Sequence, residues 1–350
     1  MDPNAHKKGL VNRLGRKELQ ARLDAETFQR KTISFYRYVI IDQPQEMRDM
    51  LFDRWSQFNC LGRIYIAREG INAQMNVPEH LYDAFLEDLN SITYFSGIPI
   101  KEAVEDNGKS FLKLTVKVRG KIVADGLADD FFDVTNVGKH LTADQWNALL
   151  DVEDSIVVDM RNHYESEIGH FEKAICPEAE TFREELPEVL EMLKGKEDKP
   201  IMLYCTGGIR CEKASAWLRH HGFENVNQLL GGIIDYHRQV SDKGLVNRFR
   251  GKNFVFDDRL GERISDDIIS SCHQCGAPCD THVNCANVDC NLLFIQCENC
   301  GHKFEKTCST TCQTVIHMSE EERNQHRKSE AKKAFQRFRR RMQETPNCVD

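Results

Sequence analysis

The sequence predicts a multidomain α/β protein: an α+β domain, then a domain on a parallel sheet, then a cysteine-rich metal-binding segment with a helical basic tail. Three observations predict it. Between residues 32 and 118 the hydrophobic period switches between strand and helix in the order β-α-β-β-α-β. Between 155 and 230 short, continuously apolar strands alternate with helical stretches, the pattern of a parallel sheet covered on both faces. Nine of the 14 cysteines fall between Cys272 and Cys312 in short paired spacings. A chain of 350 residues is long enough for two or three domains with cores of their own.

Residues 1–30 are charged and read as a frayed or helical extension. Thr32–Ile41 is rich in β-branched and aromatic residues and reads as a strand. Pro44–Phe58 has helical spacing, with Met47, Met50, Leu51, Trp55 and Phe58 on one side. Leu61–Ala67 and Ile71–Val77 read as two strands of a hairpin turning at Glu69-Gly70. Pro78 opens a helix over Glu79–Leu89, since proline suits a helix's first turn. Phe111–Val118 alternates as a closing strand should. The order is that of a ferredoxin-like (acylphosphatase-like) domain, assigned to 31–126. An acidic, irregular stretch follows, read as a linker over 127–144.

The second domain, 145–245, starts in a capped helix over Thr142–Leu150. Strands are expected at Ser155–Met160, Pro200–Tyr204 and Val226–Leu230, and helices at Ala179–Leu193 and Arg210–His221. Ligands in such sheets bind at the carboxyl ends of strands. Cys205 occupies that place. The loop Cys205-Thr206-Gly207-Gly208-Ile209-Arg210 follows a strand and opens a helix. Its amides converge on the loop centre, and the helix adds the positive end of its dipole. A thiol there has a lowered pKa. Arg210 can donate two hydrogen bonds to a bound anion. Packing alone accounts poorly for two glycines and an arginine beside a buried cysteine. Cys211, on the helix's first turn, either resolves an oxidised Cys205 or simply packs. Asp159 and Arg161 read as a structural ion pair.

This loop resembles the six-residue active-site loop of rhodaneses. Asp159-Met160-Arg161, Glu165, Gly169-His170-Phe171 and Ala174 are similar to the opening signature of the same fold. The resemblance implies a cysteine that can carry a persulfide. Related phosphatases use C-x5-R, whereas Cys205 to Arg210 is C-x4-R, so loop size argues against phosphate ester hydrolysis.

The cysteine-rich segment is assigned to 246–317. Cys272/Cys275 with Cys297/Cys300 make a zinc-ribbon-like set, because two C-x2-C turns can complete one tetrahedral thiolate site. Cys279, Cys285, Cys290, Cys308 and Cys312 supply a second, with His273, His282 and His302 as substitutes. Two structural zinc ions are expected, since a loop-rich segment needs cross-linking to fold. An iron–sulfur cluster takes the same ligands.

The formal net charge is −8, which does not suggest a general nucleic-acid binder. The tail, 318–350, differs: from Arg327 to Arg341 eight Lys/Arg face one acid, Glu330. Such a run marks a nucleic-acid-facing tail or a solvated helix end. No apolar run is long enough to span a membrane, and Met1–Lys8 lacks the apolar core of a signal peptide, so a cytoplasmic protein is expected.

Over nearly its full length the chain resembles the bacterial rhodanese-containing tRNA uridine hydroxylases. Gly251–Ile264 (GKNFVFDDRLGERI) is the telling stretch, since neither generic rhodaneses nor zinc ribbons require it. The resemblance implies oxygen-dependent conversion of the wobble uridine to 5-hydroxyuridine, with Cys205 as the required cysteine and molecular oxygen as co-substrate. It implies the anticodon stem-loop of tRNA as partner. No flavin or nicotinamide signature is present. Expected phosphate contacts are Arg63, Arg68, Lys113 and Lys117 of the first domain and Arg337, Arg339, Arg340 and Arg341 of the tail. Two other readings stand beside this one: a sulfurtransferase carrying a persulfide on Cys205, and a non-catalytic RNA- or protein-binding module. The sequence leaves oligomeric state open.

Overall fold

The computed structural model describes residues 15–104, 108–127 and 132–330. The chain divides into two compact units. Of the described residues, one holds those within 15–162, 173–246 and 256–259, the other those within 163–172, 247–255 and 260–330.

The first unit opens with helix α1 (Arg16–Asp24), then β1 (Arg30–Tyr38), α2 (Pro44–Gln57), β2 (Leu61–Ala67), β3 (Gly70–Pro78), α3 (Tyr82–Ser91), β4 (Lys101–Glu102) and β5 (Leu114–Val118). Pro78 ends β3, and a short 3-10 turn over Glu79–Leu81 precedes α3. The strands lie in the order β4-β1-β3-β2-β5. The first four are the ferredoxin-like sheet, and β4 closes it, antiparallel to β1. The strand expected to close it, Phe111–Val118, is instead β5, an added strand parallel to β2 at the opposite edge. Two residues carry too little pattern to reveal β4, whereas β5 alternates clearly. One face buries Ile33, Phe35, Ile64, Ile66, Ala73 and Met75 together with Trp55 and Phe85 of the helices. The intervening residues, among them Tyr36, Tyr65, Asn72 and Gln74, point to the other face, as the pleat requires.

The same unit continues with β6 (Lys139–Leu141), α4 (Ala143–Leu150) and β7 (Ile156–Asp159). Helix α5 (His163–Ser166) and strand β8 (Gly169–Phe171) belong to the second unit. Then come α6 (Phe182–Met192), β9 (Ile201–Tyr204), α7 (Ile209–His220), β10 (Val226–Leu229) and α8 (Gly232–Lys243). The sheet order is β6-β10-β9-β7, all parallel. Every residue of β9 is buried, so helices cover both its faces. Strand β6 lies within the stretch read as a linker: Lys139–Leu141 pairs with Asn227–Leu229 at the sheet edge. Only Leu141 of the three is buried, so little in the sequence marked a strand there. Thr142 caps α4 through a capping box with Gln145.

The second unit adds β11 (Phe249–Asn253), β12 (Glu262–Arg263), β13 (His282–Asn284), β14 (Leu293–Ile295), α9 (Glu298–Lys303), α10 (Thr310–Ile316) and α11 (Glu320–Glu330). Strand β8, inside the span read as the second domain, pairs antiparallel with β11 and not with the parallel sheet. Among the described residues no helix is long and apolar enough to cross a membrane.

Candidate active site and metal centres

Cys205 follows β9 directly and its loop runs into the first turn of α7. Gly208 is the N-cap of α7 at φ 96°, a conformation that favours glycine, and its N–H donates to Cys205 Sγ at 3.1 Å. On the far side of the loop a second glycine pair, Gly231-Gly232, opens α8. A Cβ on Gly232 would lie 2.5 Å from the Cys205 carbonyl oxygen, so only glycine lets α8 approach this closely. The Ile233 N–H then donates to that oxygen at 3.1 Å. The loop is thus held from both sides. The role of α8 in it was not foreseen.

Burial on its own pushes the Cys205 thiol up. The Cys211 thiol, the Arg210 charge and the backbone N–H groups of Cys211 and Arg210 outweigh it and bring the pKa down to about 5. Cys211, also buried, is pushed well above the ordinary thiol range by desolvation and by the Cys205 charge. The two sulfurs have separate states at neutral pH, Cys205 an acceptor and Cys211 a donor.

Asp159 and Arg161 are fully buried and pair with each other at 2.6 Å, and Tyr204 Oη donates to Asp159 at 2.6 Å. They hold the strand ends beside the loop.

A cavity of about 400 Å³ opens over the loop. Its floor is Cys205, Thr206, Gly207, Ile209 and Arg210. Its walls include Phe182, Phe256 and, from the outer face of the first sheet, Tyr36, Tyr65, Asn72 and Gln74. Arg63 and Lys101 add positive charge to this lining. The Arg210 guanidinium lies 5.8 Å from the Phe256 ring centroid. Of the expected RNA contacts, Arg63 therefore lies at the cavity. Arg68 and Lys113 are exposed, Arg68 at the hairpin turn and Lys113 ahead of β5. Lys117 pairs in register with Tyr65 and so shares its sheet face. Arg337, Arg339, Arg340 and Arg341 lie outside the described residues. Phe256, Tyr36 and Lys101 were not foreseen. Phe256 sits in the FVFDDR stretch singled out above, which was the available signal.

In the second unit the cysteines gather into two groups, Cys272/Cys275/Cys297/Cys300 and Cys285/Cys290/Cys308/Cys312, the sulfurs of each all within 4.8 Å of one another. Cys279 lies outside both, and desolvation raises its pKa. Four thiolates already close a tetrahedron, so a fifth has no position to fill. Nor do the histidines substitute: His273 Nε2 bonds Glu167 at 2.6 Å, and His282 is buried against Phe254.

The fold and loop define a rhodanese-domain protein with a thiolate at a shared cavity. Residues 30–122 match the family described as UPF0176 acylphosphatase like domain, 142–239 the rhodanese-like domain, and 250–313 the rhodanase C-terminal domain. A protein of Leptospira interrogans named tRNA uridine(34) hydroxylase is 59% identical over 92% of this chain and 88% of its own. One of the same name from Cronobacter sakazakii is 51% identical over 97% of this chain and 99% of its own. The chain belongs to the family of the tRNA uridine(34) hydroxylases.

Proposed function

We infer that this protein is a tRNA-modifying enzyme that hydroxylates uridine 34, the wobble uridine, of tRNA, and that Cys205 is its nucleophile. Family membership supports the reaction. The observation that carries the role of Cys205 is a thiolate, with its pKa near 5, at the floor of a cavity of about 400 Å³ walled by aromatic side chains from two domains. Cavities of roughly 300–1,000 Å³ hold small organic ligands. A sulfur atom needs only the loop, whereas a base needs the walls. This favours a nucleobase over a persulfide as the occupant.

The chemistry follows from that placement. The Cys205 thiolate adds to uracil C6, and the C5=C6 electron pair moves into the carbonyl as an enolate nucleophilic at C5. C5 bonds to one atom of molecular oxygen, and the other leaves as water, with two electrons and two protons from a thiol reductant. Loss of the C5 proton and expulsion of Cys205 restore the double bond and give 5-hydroxyuridine. Loop amides and Arg210 favour the anionic thiolate at both ends of the sequence.

A base enters such a cavity only out of its stack, and anticodon-loop bases are already exposed. We assign phosphate contacts to Arg63, Arg68, Lys113, Lys117 and the tail arginines, and the cytoplasm as the place where tRNA is met.

The two thiolate groups suit zinc. A tetrahedron with arms of about 2.3 Å has edges near 3.8 Å. The Sγ–Sγ distances are 3.6 Å for Cys275–Cys297, 3.7 Å for Cys290–Cys308 and 3.7 Å for Cys308–Cys312. A multi-iron cluster holds its thiolates farther apart. With no fifth position for water, the ions would be structural.

The test is mass spectrometry of tRNA nucleosides from cells whose only copy carries Cys205→Ser. The uridine heavier by one oxygen should vanish, because a hydroxyl stays protonated where this thiol ionises. Its persistence would sink the thiolate reading. Loss of a thio-nucleoside instead would point to sulfur transfer.

A further inference from the structure

The first domain does more than wall the cavity. Strand β4 is two residues long, and it places Lys101 in register with Ser34 of β1. The Lys101 side chain then runs over the cysteine loop: its Cδ is 3.9 Å from where a Cβ on Gly207 would stand. Its ammonium lies 4.8 Å from the Tyr36 ring centroid. Tyr36 Oη in turn donates to Glu212 of α7 at 3.3 Å. Lys101 is only 5% exposed, and both it and Cys205 line the cavity.

A lysine this buried normally meets a carboxylate, because an isolated charge out of water is costly. Among the described residues the Lys101 ammonium has neither a hydrogen bond nor an ion pair. The neighbouring acids Asp235 and Glu212 act on it through space, without a direct bond, and each has a further partner. Asp235 faces Arg238 at 3.6 Å, and Glu212 accepts from Tyr36 and bonds His140 at 3.0 Å. Lys101 thus brings a desolvated cation to the lining of a cavity that also holds an anionic sulfur. Such a group fits charge that arises during a reaction better than charge already present.

We propose that Lys101 is a catalytic residue, donating a hydrogen bond to the uracil O4 and holding the negative charge that reaches it when Cys205 adds to C6. The proposal rests on the reading of Cys205 as the C6 nucleophile. In this step the Sγ–C6 bond forms, the C5=C6 π bond breaks, and its electron pair resides on the C5–C4–O4 enolate. No proton leaves Lys101, and no electron enters or departs the complex. Arg210 serves the sulfur end of the adduct and Lys101 the oxygen end. The first domain thereby completes a site that the rhodanese loop leaves half-built.

The groups facing Lys101 set its titration. Burial lowers its pKa; Asp235, Cys205 and Glu212 raise it; Arg238 of α8 lowers it. Tyr36 stays protonated beside it, because desolvation, Glu212 and the two cysteines raise its pKa well above the ordinary value. The net shift for Lys101 is downward, so the rate should fall on the alkaline side as the ammonium loses its proton.

The test uses the full-length protein and unmodified tRNA, with Lys101→Met, Lys101→Arg and Cys205→Ser. Lys101→Met should lower kcat about 100- to 1,000-fold, the usual loss for one oxyanion donor, with little change in KM. Lys101→Arg should recover part of kcat and move the alkaline limb to higher pH, since a guanidinium stays charged. A structural lysine would leave that limb in place. Wild-type kcat in Lys101→Met, or an unmoved alkaline limb in Lys101→Arg, with Cys205→Ser inactive, overturns the assignment of Lys101 alone. An active Cys205→Ser overturns the thiolate reading and this proposal with it.

Discussion

The charge on Cys205 is a sum of small contributions, and Cys211 is one that mutation can isolate. Its thiol donates to the Cys205 thiolate, and the Gly208 amide is a second donor at 3.1 Å. A hydrogen bond to a charged acceptor contributes about 1.5–3 kcal/mol, and one pKa unit corresponds to about 1.4 kcal/mol. Cys211→Ala should therefore raise the Cys205 pKa by roughly one to two units. The sign fixes the window. The wild-type thiolate is present from about pH 5 upward, so the variant loses thiolate most at pH 5–6 and little at pH 8. Cys211→Ser keeps a donor and should stay near wild type. Iodoacetamide labelling of Cys205 against pH measures this, and equal profiles for all three proteins would exclude Cys211 as a donor. The cysteine loop was legible because its parts are adjacent in sequence. Lys101 and Tyr36 were not, because they reach the loop only through the packing of the first sheet, from over 100 residues upstream.

At the scale of elements, the cysteine-rich part of the second unit has little else to fold it. Strands β13 and β14 pair over three residues each. The nearby apolar cluster holds Leu292 and Phe294, and its other buried members, Cys285 and Cys312, are in a thiolate group themselves. Four sulfurs within 4.8 Å would repel if ionised without a cation. A metal bound by these groups would contribute folding free energy to this segment. Purified protein should carry two zinc ions per chain, by elemental analysis, matching the two groups. A strong chelator should abolish amide-exchange protection between Cys272 and Cys312. Iron, or protection that survives metal loss, would overturn this. The C-x2-C pairs were readable because a turn fixes their spacing. Cys279 misled because sequence gives the number of sulfurs but not the capacity of a tetrahedron. Likewise β5 was readable as a strand, but its edge was not, since alternation says nothing about which neighbour a strand joins.

At the scale of the molecule, the first domain and the rhodanese domain share one compact unit, and a buried charge network ties them. Lys213 of α7, 2% exposed, pairs with Glu69 of the β2–β3 hairpin at 2.7 Å and with Asp125 beyond β5. Asp125 is buried too and also meets Lys121 at 2.8 Å. Lys213 lies one turn beyond Ile209–Arg210, so the same helix that opens the cysteine loop anchors the opposing sheet. Removing one partner of a buried pair costs about 3–5 kcal/mol, because the other charge stays out of water. Lys121 still serves Asp125, so Lys213→Met should lose about 3 kcal/mol, the low end of that range. Adding Asp125→Asn should recover part of it, since one of the two carboxylates that faced Lys213 is then neutral. Calorimetric melting of the three proteins measures both effects. Because the joint ties the helix that follows Cys205 to the sheet that carries Lys101, kcat should fall in Lys213→Met below its melting temperature and rise again in the double variant. A single variant that melts with the wild type would mean that packing, and not this charge network, holds the first sheet over the thiolate.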